Sequence, residues 1–382
     1  MSTYEAHPVV MWEFTRACNL HCHNCTIGAT ESRGKNELTT FEAFKTIDQI
    51  ANLAPRELII TGGDPLQRDD IHLIISYARQ CGLDPALVLS PTSNLTPEAI
   101  ARLERTGLSR IVFSIDGSAL QTHEGRGVLG TFATTLRGVC QTESAGMEIE
   151  INTLVSRRNA GDLEALADLV RTIGVARWNL YFTVPLGSSS LAEMISADAE
   201  MISPREAERL FAVIDDIRAR ESFAVRVIEA PQYRRYRLQR TLDARLDRLT
   251  RDTEMDPDRF EPGDTGSMDD VMESALDGAR GFLFISHSGD VRPSEFLLFS
   301  AGNLRFRPLD AIYRSSDLFI ALRDPDNLKG KCGRCEFRWI CGGSRARAWA
   351  MKGNIFAEDP LCNYEPGLAL AVPAGALVQR GA

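Results

Sequence analysis

Apolar and polar positions follow two alternating patterns along the first 220 residues. Six short runs rich in β-branched or aromatic residues are typical of strands, at residues 8–15, 57–61, 86–90, 110–115, 148–155 and 177–183. Between and after them, stretches with helical periodicity lie near residues 40–53, 68–81, 97–106, 131–145, 160–173 and 204–220. Six strand–helix units in succession predict a parallel sheet with right-handed crossovers, either open or curled toward a barrel.

Two of the predicted helices carry clear start signals. Thr39 is followed three residues later by Glu42, which is the capping-box pattern. Ser203 is followed by Pro204, a residue that suits the first helical position. We therefore expect helices to begin at residues 40 and 204.

The pattern changes after residue 220. An arginine-rich helical stretch begins at Tyr233-Arg234-Arg235-Tyr236-Arg237, and an acidic run containing Pro and Gly spans residues 252–270. We interpret them as a solvated bridging helix with a mobile loop. The alternative is a lid whose arginines receive a substrate carboxylate or an acidic partner. Beyond residue 278, short strands and turns follow, and residues 281–291 predict a β-hairpin.

Composition narrows the protein class. The chain has 382 residues, of which 44% are hydrophobic and 25% charged, as in soluble proteins with a large core. No apolar run reaches the length of a membrane span, and no basic and apolar export signal begins the chain, so we expect a cytoplasmic protein without a membrane partner. A net charge of -9 argues against a general nucleic-acid binder.

Seven of the nine cysteines fall into two groups, a spacing that indicates metal binding in a protein without an export signal. The first group follows the first predicted strand and consists of Cys18, Cys22 and Cys25. Three thiolates can cover one face of a 4Fe–4S cube and leave one iron open for chemistry. A zinc knuckle or three unrelated cysteines are the alternatives. Cys81 and Cys140 lie outside both groups, and we interpret them as small buried hydrophobes.

The second group consists of Cys332, Cys335, Cys341 and Cys362. Its spacing alone favours a zinc site with four cysteine ligands. The neighbouring Gly342-Gly343 and Asp359-Pro360 segments favour iron–sulfur instead. Both occupants remain open at this point.

The spacing of the first group resembles the signature of the radical S-adenosylmethionine (radical SAM) enzymes. In that family the open iron binds S-adenosylmethionine, and an electron from the cluster cleaves it to a 5′-deoxyadenosyl radical that abstracts hydrogen from the substrate. The resemblance implies an α/β fold, a partial (β/α)6 TIM-like barrel over residues 1–225, with its site at the C-terminal strand ends. It also implies a flavodoxin- or ferredoxin-type electron donor.

Segments at the strand ends resemble further motifs of this family. Residues 62–65 resemble its Gly-Gly-Glu-Pro motif, and residues 93–94 resemble its Ser/Thr-Asn-Gly motif, for which an Asx turn is the alternative. Residues 114–117 match Ser-Leu-Asp-Gly, so we expect Asp116 to face the substrate and act in catalysis. For Arg126 an ordinary surface loop is the alternative. The implied cofactor-binding residues are Gly62, Gly63, Asp64, Pro65, Ser93, Asn94, Ser114, Arg126 and Asn152.

Residues 278–365 resemble the SPASM domain, a small α+β extension that holds auxiliary iron–sulfur clusters. The resemblance implies a helical bridge and polar loop at 226–277 and a tail at 366–382. Three cysteine positions of one auxiliary cluster are lost, and two of them are Ser294 and Arg345. The four remaining cysteines complete the other cluster, so we expect two 4Fe–4S clusters in all, one binding S-adenosylmethionine and one auxiliary.

Three charged residues near the lost positions are candidates for substrate chemistry. Glu295 follows Ser294, and an acid there serves as a base in sulfatase-maturing relatives, so we expect it to be catalytic. The alternative is an exposed turn acid. Arg345 and Arg347 either receive a substrate carboxylate or pair with local acids such as Asp359.

Two substrate classes fit this reduced cysteine set. The run at residues 341–348 looks similar to enzymes that remove or oxidise propionates in haem-like cofactor synthesis, and arginines suit propionates. We therefore expect an oxidoreductase or lyase acting on a carboxylate-bearing small molecule such as a tetrapyrrole propionate. The alternative is a maturase of a ribosomally made peptide, with a separate recognition protein because the first strand begins near Pro8. A non-catalytic iron–sulfur or zinc protein is disfavoured by the intact Cys18 triad.

Overall fold

The computed structural model describes residues 3–20, 22, 25, 28–118, 130–185, 200–251, 268–278 and 280–367. Within these residues, eleven strands form one sheet. They are β1 Val9–Thr15, β2 Glu57–Gly62, β3 Pro85–Val88, β4 Arg110–Ser114, β5 Glu148–Val155, β6 Arg177–Phe182, β7 Ala224–Ile228, β8 Ala275–Leu276, β9 Phe282–Ile285, β10 Asp290–Arg292 and β11 Gly302–Asn303.

Helices cover the connections between the strands. In the described part of the chain, the α-helices are α1 Thr3–Ala6, α2 Thr40–Leu53, α3 Ile71–Gln80, α4 Pro97–Glu104, α5 Thr131–Ser144, α6 Leu163–Ile173, α7 Pro204–Arg220, α8 Gln232–Arg251, α9 Met268–Glu273, α10 Leu309–Ser315, α11 Asp317–Arg323, α12 Gly330–Arg334 and α13 Arg345–Lys352. None of the described helices has both the length and the apolar character needed to cross a membrane.

The order of the strands confirms the predicted parallel sheet. The sheet runs β11-β10-β9-β1-β2-β3-β4-β5-β6-β7-β8, and every pair from β1 to β8 is parallel. β9 also pairs parallel with β1, so the predicted hairpin of β9 and β10 extends the same sheet. Each of the six predicted strands and six predicted helices is present, with ends shifted by three residues or fewer.

The sheet is curled, because residues from distant strands meet on one face. Glu57 of β2 forms ion pairs with Arg177 of β6 and Arg226 of β7, at 2.7 Å and 2.8 Å between the charged atoms. Apolar side chains from β1 and β9, toward one edge of the sheet, also meet those of β7 and β8, at the other edge, on this interior face. The buried members of this apolar cluster are Val9, Met11, Ile228, Leu276, Phe282 and Phe284. The alternative of an open sheet is therefore wrong, and the core is a partial barrel.

Charged side chains fill the end of the barrel where the strands begin. Arg110 and Arg177 bridge Glu57 to Glu150, at 3.2 Å from Arg110 to Glu150 and 3.4 Å from Arg177 to Glu150. Burial opposes ionisation of Glu57, but Arg226, Arg177 and Arg110 outweigh it and lower its pKa to about 2. This end is therefore closed by fully paired charges, which leaves the opposite end for a site.

Both predicted helix starts are confirmed by capping boxes. The Thr39 backbone N–H donates to the Glu42 carboxylate at 2.8 Å, and the Glu42 N–H donates back to the Thr39 hydroxyl at 3.3 Å. Ser203 and Glu206 form the same reciprocal pair before α7. These caps satisfy N–H groups that have no partner within the helix.

Two expectations are corrected by the structure, and two strands were missed. The first turns of α8 are not solvated, because Tyr233, Arg234 and Arg235 are buried between the barrel and the C-terminal region. Strand β7 and the edge strand β8 were not predicted. Cys140 is exposed and Cys81 is half-buried, so neither is a fully buried hydrophobe. Most of the acidic run, residues 252–267, lies outside the described residues.

Candidate active site and cysteine centres

The Cys18 group lies in the loop that follows β1, at the C-terminal end of the barrel. Cys18 is buried, Cys22 is half-buried and Cys25 is exposed. The backbone N–H of Cys18 donates to the Thr30 carbonyl at 2.8 Å, and that of Cys25 donates to the Cys22 carbonyl at 3.2 Å. Burial raises the pKa of the Cys18 thiol. The exposure of the three thiols therefore increases along the loop.

Two glycines, the last residue of β2 and the residue after it, fix the start of this loop. The Gly63 N–H donates to the Thr15 carbonyl at 2.8 Å, and the Asp64 N–H donates to the Ala17 carbonyl at 2.7 Å. A Cβ atom at Gly62 would collide with the Thr15 carbonyl oxygen, and one at Gly63 would collide with that of Ala17. The close approach that requires glycine is thus to the backbone immediately before Cys18.

Asp64 joins the ends of β2 and β3. Its carboxylate is buried and accepts hydrogen bonds from the Thr92 hydroxyl at 2.6 Å and the Asn94 amide at 2.9 Å. It also accepts the Leu66 N–H at 3.1 Å, which caps the short 3₁₀ turn that begins at Pro65. Burial raises the pKa of Asp64, and these hydrogen bonds oppose the rise. Asn94 is therefore occupied by Asp64, whereas the neighbouring Ser93 is exposed.

The remaining predicted residues lie at the ends of, or within, β4 and β5. Ser114 ends β4 and is half-buried. The Asp116 carboxylate accepts the Leu154 N–H at 2.8 Å, so it holds the end of β5 in place. The side chain of Asn152 accepts the Asn179 amide at 3.0 Å inside the barrel. Arg126 lies outside the described residues.

Glu295 lies among acidic side chains at the open end of the barrel. Burial, together with the negative charges of Glu229 and Glu13, raises its pKa to about 8. The carboxyl group of Glu295 in turn contributes, after burial itself, to the raised pKa of Tyr181. Glu295 is half-buried, and the described residues offer it no hydrogen bond or ion pair. It is therefore not an exposed turn acid, and it is protonated at neutral pH.

Arg292 lies on the same face. It is directly opposite Phe284 in the antiparallel pair of β9 and β10, and side chains that face each other in such a pair point to the same side. Phe284 belongs to the interior apolar cluster. The Nε atom of Arg292 is buried without a hydrogen-bond partner, and no described residue forms an ion pair with its guanidinium. A half-buried guanidinium without an ion-pair partner among the described residues can receive a carboxylate.

The second group of cysteines lines one recess of about 380 Å³, part of which is open to solvent. Cys332 and Cys341 are buried, and Cys335 and Cys362 are half-buried. Burial raises the pKa of all four thiols, in Cys362 to about 11. Gln232, Arg235 and Tyr364 also line the recess. Four cysteines, two of them only three residues apart, thus line one partly enclosed recess.

Arg345 and Arg347 are engaged by the protein itself. Arg345 donates to the carbonyls of Ile355 and Ala357, at 2.8 Å and 2.7 Å, and its guanidinium lies 3.9 Å from the Cys332 sulfur. Arg347 is fully buried and pairs with Asp359 at 3.1 Å. Pairing with a local acid is therefore correct for Arg347, whereas Arg345 is held by backbone carbonyls instead of an acid. Both arginines are thus engaged within the protein.

Sequence reasoning missed Glu229, Arg292 and Tyr181. Glu229 follows the unpredicted strand β7 and has a φ of 59°, a conformation that non-glycine residues rarely adopt and that is enriched at functional sites. Its carboxylate accepts the hydroxyls of Ser294, at 2.7 Å, and Ser344. Ser294 therefore links the segment after β10 to Glu229 at the end of β7. The available signal for Arg292 was its place opposite the apolar run 282–285 in the predicted hairpin.

Comparison with known proteins agrees with this geometry. The sequence model of the radical SAM superfamily matches residues 12–170. A protein named AdoMet-dependent heme synthase from Nitratidesulfovibrio vulgaris is 36% identical over 360 residues, covering 94% of this chain and 92% of the relative. One of the same name from Methanosarcina barkeri is 33% identical over 360 residues, covering 94% and 97%.

The fold is also found in a solved structure. Streptococcus suis SuiB, determined with bound S-adenosylmethionine, superposes with a TM-score of 0.68 at 14% identity, covering 94% of this chain and 78% of that chain. At this identity the likeness concerns the fold alone. Together with the near full-length relatives, it leads to one conclusion. The chain belongs to the radical SAM superfamily and is an enzyme of that superfamily.

Proposed function

We propose that this enzyme removes carbon dioxide from propionate side chains of a tetrapyrrole and leaves vinyl groups, as a haem synthase would. The observation that carries the proposal is the similarity to two proteins named AdoMet-dependent heme synthase, each matched over 94% of this chain. Arg345 and Arg347 no longer support it, since both are engaged within the protein.

We propose that Cys18, Cys22 and Cys25 hold the 4Fe–4S cluster that binds S-adenosylmethionine. The cluster and S-adenosylmethionine together would supply the radical that abstracts hydrogen from the substrate. The graded exposure of these thiols supports this assignment, because one side of the loop stays accessible to a ligand. Gly62, Gly63, Asp64 and Pro65 would position the loop. Ser93, Ser114, Arg126 and Asn152 remain proposed cofactor contacts, Asn94 would act through Asp64, and Asp116 remains a proposed catalytic residue.

We propose that Arg292 and Glu295 receive the propionate. The guanidinium of Arg292 supplies positive charge, and Glu295 supplies a hydrogen-bond donor because its pKa of about 8 keeps it protonated at neutral pH. An ionised Glu295 would repel the substrate carboxylate. In the peptide-maturase alternative, the same residue would have to be deprotonated to act as a base, so the two functions require opposite charge states of Glu295.

We propose that the four-cysteine recess holds an auxiliary 4Fe–4S cluster. A propionate that has lost one hydrogen atom and then carbon dioxide becomes a vinyl group by releasing one electron, so an acceptor is needed near the substrate. A cluster with four cysteine ligands has no open iron and suits electron transfer. Zinc held by the same four cysteines is the competing occupant.

The wider assignments follow from these sites. We propose that residues 278–365 form the SPASM unit that contributes the recess and Glu295, with residues 1–225 as the radical SAM core. We also propose cytoplasmic operation with a flavodoxin- or ferredoxin-type donor, because reduced thiols and a low-potential electron source are needed.

The test is anaerobic turnover of iron coproporphyrin III, which carries propionates at positions where haem carries vinyl groups. Reconstituted enzyme with S-adenosylmethionine and reductant should give 5′-deoxyadenosine, carbon dioxide and a vinyl-bearing porphyrin. The matched control is the Cys18→Ala/Cys22→Ala/Cys25→Ala variant, which should give none of the three. Reductive cleavage of S-adenosylmethionine with an unchanged porphyrin would contradict the substrate assignment and favour the peptide alternative.

A further inference from the structure

Arg235 is the most deeply buried cation that lines the four-cysteine recess. Its side chain is 5% exposed, whereas those of Lys331 and Arg338, which line the same recess, are 20% and 31% exposed. Solvent screens the charge of the exposed pair more strongly than that of Arg235. Among the cations that line the recess, Arg235 therefore carries the least screened charge. Arg345, outside the lining, adds a second buried guanidinium 3.9 Å from the Cys332 sulfur.

The position of Arg235 is fixed by contacts on both sides. One terminal nitrogen donates to both carboxylate oxygens of Glu208 on α7, at 2.8 Å and 2.6 Å, and the other donates to Gln239 at 2.5 Å. The guanidinium carbon lies 5.0 Å from the centre of the Tyr364 ring, two residues after Cys362. Glu208 pairs with Arg235 but does not line the recess, whereas Arg235 does. The positive charge of Arg235 therefore faces the four thiols more directly than the negative charge of Glu208.

One hydrogen-bond donor of Arg235 has no acceptor in the protein. Its Nε atom is buried, and no partner for it exists among the described residues. Buried N–H groups are nearly always satisfied, so an acceptor from outside the polypeptide is expected here. The sulfur atoms of an iron–sulfur cluster held by the four cysteines are acceptors of this kind.

We propose that Arg235 raises the reduction potential of the auxiliary cluster by placing a fixed positive charge and an N–H donor beside it. Reduction adds one negative charge to the cluster, and a nearby cation with a hydrogen bond stabilises the reduced form more than the oxidised form. The auxiliary cluster is thereby set to accept the electron that the substrate releases. This inference rests on the proposed function, because it requires a cluster in the recess.

The test measures the midpoint potential of this cluster alone, by redox titration followed with electron paramagnetic resonance. The parent is the full-length Cys18→Ala/Cys22→Ala/Cys25→Ala variant, whose remaining iron belongs to the recess. Adding Arg235→Gln should shift the reduction equilibrium at least tenfold toward the oxidised form, or 59 mV for a one-electron couple. Arg235→Lys keeps the charge and should shift it less.

Two further variants make the outcome decisive. Glu208→Gln removes the compensating carboxylate and should raise the potential, opposite in sign to Arg235→Gln. Arg240→Gln removes a cation of the same helix that is 48% exposed, and should leave the potential unchanged. Equal potentials for the parent and Arg235→Gln, at equal iron content, would overturn the proposal. If Arg235→Gln loses its iron, an unchanged potential in Glu208→Gln overturns it instead.

Metal analysis of the parent variant tests separately whether the recess holds an iron–sulfur cluster and whether Arg235 tunes it. About four irons per chain are expected for one cluster. Zinc without iron would refute the cluster assignment itself, and the role of Arg235 would fall with it before any potential is measured.

Discussion

The two cysteine groups differ in how fully the folded chain encloses them. In the first group, exposure increases from the buried Cys18 to the exposed Cys25 within one loop after β1. In the second group, four thiols line one recess, and burial raises the pKa of each. The first group ends in an exposed cysteine, whereas every cysteine of the second group is buried or half-buried.

This difference matches two different tasks. A cluster that binds and cleaves S-adenosylmethionine needs an accessible iron, whereas a cluster that only passes electrons benefits from a shielded site with fixed charges. The chain supplies such charges at the second site through Arg235 and Arg345. We infer that the first group makes the radical and the second group handles the electron that the reaction releases.

The largest expected effect comes from removing the open site. Cys18→Ala/Cys22→Ala/Cys25→Ala should abolish reductive cleavage of S-adenosylmethionine, because no iron remains to bind it, while about four irons per chain stay in the recess. Iron analysis and chromatography of 5′-deoxyadenosine measure both quantities. Residual cleavage in this variant would place the chemistry elsewhere.

Removing a ligand of the enclosed site should have a different effect. Cys341→Ala should lose about four irons and the porphyrin product, yet retain cleavage of S-adenosylmethionine without turnover. Its melting temperature should fall by several degrees, since a bound cluster contributes to stability. Cys140→Ala, at an exposed cysteine of neither group, is the matched control and should change none of these. If Cys341→Ala by itself abolished cleavage of S-adenosylmethionine, the two sites would not act independently.

The glycine that fixes the open loop should affect only that site. Gly63→Ala forces a Cβ against the Ala17 carbonyl and should reduce S-adenosylmethionine cleavage by about 10–100-fold, as changes behind metal ligands usually do. The auxiliary cluster signal should persist. Gly161→Ala, where an added Cβ meets nothing within 4 Å, is the control. Wild-type cleavage in Gly63→Ala would mean that the loop tolerates displacement.

The smallest expected effect is a pH dependence of activity that arises from Glu295. Its acidic neighbours are Glu13, near the first cysteine group, and Glu229, which accepts a hydrogen bond from Ser344 near the second group. The raised pKa of Glu295 keeps it protonated below about pH 8. As pH rises through 8, ionisation should reduce kcat/KM for the porphyrin by up to about tenfold per pH unit.

Glu295→Gln tests the sign of this dependence, since the amide stays neutral and still donates a hydrogen bond. The variant should remain active near neutral pH, and its pH profile should be flat through 8. The opposite pattern, with wild-type activity rising through pH 8 and an inactive Glu295→Gln, would assign Glu295 as a base.

Local patterns in the sequence predict much of this molecule. The strands from β1 to β6 and their helices follow from periodicity and from caps such as Thr39 and Ser203, because these depend on near neighbours in the chain. The grouping of the cysteines is visible for the same reason, since most ligands within a group lie only a few residues apart.

Contacts made across the fold could not be predicted in this way. The pairing of β9 with β1 brings Arg292 and Glu295 to the barrel, and the short strand β7 delivers Glu229 to Ser294. The sequence pattern predicted solvated arginines on α8, because the acidic partners Glu208 and Asp277 lie in other elements of the fold. Burial of a charged residue depends on such partners, which sequence spacing does not reveal.

The most direct measurement follows a hydrogen atom from substrate to cofactor. Iron coproporphyrin III deuterated on its propionate carbons is incubated anaerobically with enzyme, S-adenosylmethionine and reductant, and the 5′-deoxyadenosine is analysed by mass spectrometry. Transfer of deuterium into 5′-deoxyadenosine, in step with carbon dioxide release, is the predicted result. Unlabelled 5′-deoxyadenosine from an active enzyme, with the porphyrin unchanged, would contradict the proposed function.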